Sequence, residues 1–123
     1  MLLTEQHIDE IKSHMLHQEE ALKIKFKAKN SDFDTKKVLH AEVEDYENLG
    51  WIAGNPMKTK TPISRKKEPG RLFEDNVWCM FYKLGFRVLN NDENLRVQWG
   101  PNKEDTQQLD VVAVGDDAIF VVE

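Results

Sequence analysis

The residues best placed to do chemistry are Asp110 and Glu123, which bracket two short apolar runs, Val111–Val114 and Ala118–Val122, around Gly115-Asp116-Asp117. β-branched runs on either side of a tight-turn tripeptide predict two antiparallel strands joined as a hairpin. In such a hairpin the start of the first strand lies beside the end of the second, so pairing is expected to bring the two carboxylates to one corner. Like charges held that close are costly without a cation between them, and hard oxygen donors favour Mg²⁺ or Mn²⁺ over zinc. The competing reading is that both acids are solvated strand ends flanking a core hairpin.

A third acid, Glu74, lies in the stretch Arg71-Leu-Phe-Glu-Asp-Asn-Val-Trp-Cys-Met-Phe-Tyr-Lys-Leu-Gly-Phe86, which predicts a helix closed by Gly85. On a helical wheel Phe73, Val77, Met80, Phe81 and Leu84 form the expected buried arc, with Glu74 at its edge and partly desolvated. A carboxylate there suits a metal or its water, or equally the positive end of the helix dipole. Lys58, Lys60, Arg65, Lys66, Lys67 and Arg71 make a basic island in a chain of net charge −5, opposed over that stretch by Glu68. Such an island is expected to touch nucleic-acid phosphates or to be a solvated linker. His14 and His17 share a helical face without a neighbouring third ligand, so they are assigned to solvent. The lone Cys79 excludes an internal disulfide and reads as a buried thiol.

The elements that must position these groups follow from periodicity. Ile8, Ile11, Met15, Leu22 and Phe26 after Thr4 predict one long amphipathic helix, and Val38, Leu39, Val43, Tyr46 and Leu49 predict a second, stopped by Gly50. Pro- and Gly-punctuated residues 53–70 read as a poorly structured connector. Phe86–Leu89 and Leu95–Trp99 read as strands, Asn90-Asn91-Asp92 as a turn and residues 100–105 as a loop. At 123 residues, 40% hydrophobic and 32% charged, the chain can bury a modest core, and no apolar run approaches the length of a membrane span. No export signal is visible after Met1-Leu-Leu-Thr-Glu, which makes a cytoplasmic location the expectation.

Together these pieces resemble the PD-(D/E)XK, or restriction-endonuclease-like, nuclease superfamily, in particular its Holliday-junction-resolvase and Mrr-like branches. The resemblance covers about residues 70–123 and rests on Phe73-Glu74 in a helix ending Leu84-Gly85-Phe86, then Leu109-Asp110-Val-Val-Ala, then Ile119-Phe-Val-Val-Glu123. It implies an α/β (α+β) protein with a nuclease core and a mixed β-sheet over 71–123, preceded by the N-terminal helical region, 1–52, and the basic linker, 53–70, that periodicity and composition predict. It further implies Mg²⁺ or Mn²⁺ held by Asp110, Glu123 and Glu74, with Gln108 lining the site. The implied activity is metal-assisted hydrolysis of DNA phosphodiesters. In the family a lysine follows the last acid at the second position, and Glu123 is the final residue here. The resemblance therefore implies an N-terminal piece of a longer protein, cutting DNA little or not at all as it stands.

The block Leu72–Phe86, preceded by a helical region and a basic linker, is also similar to the amino-terminal portion of bacterial DGQHR-domain proteins, some of which are linked to DNA modification and phage defence. The DGQHR segment itself does not occur in the chain. The alternative function is a non-catalytic module of the same fold that binds nucleic acid or a protein partner. An exposed final strand would also favour a homodimer through the sheet edge.

Overall fold

The computed structural model describes residues 4–91, 95–98 and 100–122. It is an α+β protein whose contacts divide it into two compact units, Met1–Asn30 with Phe73–Glu123, and Ser31–Leu72. The expected division into 1–52, 53–70 and 71–123 followed composition. The observed one follows strand pairing, which draws the predicted second helix and the predicted linker into a single sheet.

The first unit opens with α1 (Glu5–Lys12), capped by Thr4, whose hydroxyl accepts from the His7 amide while His7 Nδ1 accepts from the Thr4 amide. The single long helix expected from Ile8 to Phe26 is instead broken. Met15–Leu16 forms β1, which pairs with β5 (Leu89–Asn90), and α2 runs Glu19–Lys29. The apolar spacing misled because its members serve different cores: Ile11 enters one cluster and Leu22 another.

The long helix of this unit, α4 (Pro69–Lys83), ends at Gly85, whose φ of 105° is the left-handed conformation expected of a C-cap glycine. Its buried face differs from the predicted arc. Asp75, Trp78, Cys79 and Phe81 are buried, whereas Phe73, Met80 and Leu84 are exposed. The rotation accommodates an ion pair: Lys29 Nζ lies 3.0 Å from Asp75 Oδ1, the two residues being 7% and 2% exposed. Hydrophobicity alone cannot place such a pair on the inner face.

The hairpin forms as the residues predict. β8 (Val111–Val114) pairs antiparallel with β9 (Ile119–Val122), and the Gly115 amide donates to the Ala118 carbonyl across the turn at 2.8 Å. The sheet order is β1-β5-β8-β9. β8 is buried on both faces, which explains its unbroken Val-Val-Ala-Val. Val111 and Ala113 meet Leu22, Trp78, Cys79, Phe81 and Leu89, while Val112 meets Ile11, Leu95, Val97 and Leu109. The latter group is supplied by α1 and a second hairpin, β6 (Leu95–Gln98) with β7 (Thr106–Leu109). His7 Nε2 lies 2.8 Å from the Gln98 carbonyl and ties α1 to that hairpin. Asn90, expected in a turn, is a buried strand residue.

The second unit is a three-stranded sheet in the order β2-β4-β3, made of β2 (Phe33–Leu39), β3 (Ile52–Ala53) and β4 (Lys60–Lys66). A 3₁₀ turn, His40–Glu42, and α3 (Val43–Asn48) connect the first two strands. The helix expected from Thr35 thus shrinks to its last part, though Gly50, with φ 95°, does close it. The expected connector over 53–70 contains β4, in which Thr61 and Ile63 alternate inward beneath a chain that reads as Pro-rich and basic. All described pairings are antiparallel and fall in three sheets, in place of the one mixed sheet that the resemblance implies.

Candidate functional site

Asp110 sits at the open end of the β8–β9 hairpin, immediately before β8. Its amide donates to the Val122 carbonyl at 2.9 Å, which extends the ladder one step past the Val111–Val122 pair. The neighbouring strand holds it from the other side. β5 pairs with β8 at Leu89–Ala113, and beyond that point the Asn90 side chain replaces a backbone partner. Its Nδ2 donates to the Asp110 carbonyl at 3.3 Å, and its Oδ1 accepts from the Val112 amide at 3.0 Å. The Trp78 indole donates to the Asn90 carbonyl at 3.0 Å, so α4, β5 and the start of β8 form one buried hydrogen-bonded chain. A buried side-chain network of this kind fixes the backbone that carries Asp110.

The Asp110 carboxylate is half-buried and accepts from Gln108 Nε2 at 3.3 Å, while Gln108 Oε1 accepts from Arg96 at 3.3 Å. Gln108 is thus hydrogen-bonded to Asp110, and Arg96, which the sequence reading passed over, adds a cation on its far side. Arg96 sits opposite Gln108 across the β6–β7 pair. That register is invisible in a sequence from which no separate strand is read over 106–109.

Glu74 is half-buried, in keeping with its expected place at the edge of the inner face of α4. It precedes Trp78 by one helical turn and so shares the face that reaches Asn90 and, through it, Asp110. Glu123 lies outside the described residues. Among the described residues no three His, Cys, Asp or Glu side chains group as ligands of a metal. The Asp110 carboxylate suits a hard cation, while the number of ligands falls short without Glu123. A cleft of about 520 Å³ in this unit is lined by Phe86, Arg87, Val114, Gly115 and Asp117. It lies at the turn end of the hairpin, away from Asp110.

The six basic residues expected to act together are separated by the fold of the second unit. Lys60 and Lys66 are exposed on β4, and Lys58 is exposed in the loop before it. Arg65 points to the opposite face of the sheet, its guanidinium 4.5 Å from the Trp51 ring centroid. Lys67 is 5% exposed. Arg71 forms an ion pair with Asp34 of β2. Alternation along a strand sorts these residues, and a segment read as a loop gives no reason to sort them.

No family model, curated protein or solved structure matches the chain. No described helix is long and apolar enough to cross a membrane.

Proposed function

We propose that the first unit is a nuclease core, in which Asp110, together with Glu74 and Glu123, holds Mg²⁺ or Mn²⁺ for hydrolysis of DNA phosphodiesters in a cytoplasmic protein. The observation that carries this reading is the placing of Asp110: it stands at the mouth of a β-hairpin, its backbone fixed by Val122 and Asn90 and its carboxylate oriented by Gln108. A divalent ion bound there would supply Lewis-acid polarisation of a phosphate and a more acidic water. The chain's own part is to hold carboxylate oxygens at a fixed corner, with Gln108 setting the Asp110 rotamer and Arg96 bonded behind it. The likeness to DGQHR-domain proteins, with its link to phage defence, belongs to the same proposal.

The test is Mg²⁺-dependent nicking of plasmid and branched DNA by the full native protein. The expected result is cleavage that Asp110→Ala abolishes. Cleavage that survives Asp110→Ala would contradict the assignment.

A second reading is favoured by a specific observation: among the described residues no complete ligand set converges. In that reading the fold is kept for binding a nucleic acid or a protein. DNA binding without cleavage by the full native protein is its expected signature.

A further inference from the structure

The open face of the β2-β4-β3 sheet is built differently from the rest of this acidic chain. In an antiparallel sheet, directly opposed residues project to the same side and alternate along each strand. The pairs Phe33–Lys66, Thr35–Ser64, Lys37–Pro62 and Leu39–Lys60, with Ile52 beside Ser64, therefore share one face. The intervening residues, Asp34, Lys36, Val38, Thr61, Ile63 and Arg65, share the other. That inner face is occupied: Lys36 lies 4.1 Å from the Tyr46 ring centroid and 4.8 Å from that of Trp51, and Thr61 bonds His40.

The outer face is open. Phe33, Leu39 and Ile52 are 45%, 53% and 65% exposed, and Lys37, Lys60 and Lys66 are exposed around them. It carries no acid among its described residues, in a protein of net charge −5 with 22 Asp and Glu residues. The one acid of β2, Asp34, is turned to the other side and paired with Arg71. The face thus joins uncompensated positive charge to exposed apolar surface. Lysines alone would suit any polyanion, including the sugar-phosphate exterior of a duplex. An exposed aromatic ring and two aliphatic side chains between them suit bases that have left the stack.

We propose that this face binds an unpaired nucleic-acid strand, with Lys37, Lys60 and Lys66 against the backbone phosphates and the Phe33 ring stacked on a base. The inference deepens the reading of the chain as a DNA-acting protein and rests on it. It names the substrate as DNA with a single-stranded portion.

The experiment is fluorescence anisotropy of a labelled oligothymidylate and of a labelled duplex, titrated with the whole chain in EDTA over a series of salt concentrations. The oligothymidylate is expected to bind more tightly than the duplex. The combined Lys37→Ala, Lys60→Ala and Lys66→Ala variant is expected to lower the steepness of log K against log salt by roughly 2, at about 0.7 per phosphate contact on a single strand. Phe33→Ala is expected to weaken oligothymidylate binding about ten-fold, near the low end for loss of one base–aromatic stack, with Phe33→Tyr restoring it. Lys23→Ala with Lys27→Ala, on the exposed side of α2, is expected to change neither quantity. All six substituted residues are exposed, and unchanged melting curves establish that the variants fold.

Tighter binding of the duplex, indifference to Phe33→Ala, or an equal loss from the α2 variant would overturn the proposal. Because EDTA removes divalent metal, failure of the Asp110 site leaves this assay unaffected. Failure here leaves metal binding at Asp110 open to its own measurement.

Discussion

Asp110 owes its place to Asn90 more than to its own contacts. The Asn90 amide takes over where the β5–β8 backbone pairing ends, satisfying the Asp110 carbonyl and the Val112 amide with one side chain. Replacing it by Ala leaves both buried strand groups without that partner, and a loss of about 2 kcal/mol in urea unfolding is expected. The same variant is expected to weaken metal binding at Asp110, because the backbone carrying the carboxylate loosens. Lys29 and Asp75 make a harsher case. Asp75→Ala removes the carboxylate beside a buried ammonium and is expected to cost about 3 kcal/mol or more, measured by the same unfolding. At this scale the sequence was readable where a residue's role is local: Thr4 as N-cap, Cys79 as buried thiol. Asn90, Arg96 and the Lys29–Asp75 pair were not readable, because each acts on a residue far away in the chain.

The elements divide in the same way. The β8–β9 hairpin and the α4 helix with its Gly85 cap could be read because turn chemistry and short-range pattern determine them. Gly85→Ala is expected to destabilise by about 1 kcal/mol, since a Cβ there meets nothing but the backbone must hold a positive φ. β2 and β4 were misread as helix and linker. Their stability comes from pairing each other along seven residue pairs, from Phe33–Lys66 to Leu39–Lys60, and no local propensity announces a partner that distant. Ile63, at 2% exposure, is the most buried residue of these two strands. Ile63→Ala is expected to cost between about 2 and 5 kcal/mol, whereas in a solvated linker it would cost almost nothing. The inner face of α4 was misjudged by its rotation, because an apolar-arc argument hides the buried charged pair and assigns Phe73, Met80 and Leu84 to a core they do not enter.

For the whole molecule, length and composition indicated a modest core and the resemblance implied an α+β protein, and the structure has that class. The division into two units could not be read, since the first is assembled from both ends of the chain around a unit inserted at Ser31–Leu72. β9 is the outermost strand on its side of the four-stranded order. A dimer formed by pairing of two β9 edges is expected to show as a mass that rises with concentration in light scattering, and a strict monomer at every concentration contradicts it. The central claim concerns the hairpin mouth, and titration of the chain with Mn²⁺, followed by the electron paramagnetic resonance of the free ion, tests it most directly. Saturable binding is expected, weakened at least about ten-fold by Asp110→Asn, a loss of about 1.4 kcal/mol, with the fold intact. Equal Mn²⁺ affinity in the two proteins would contradict it.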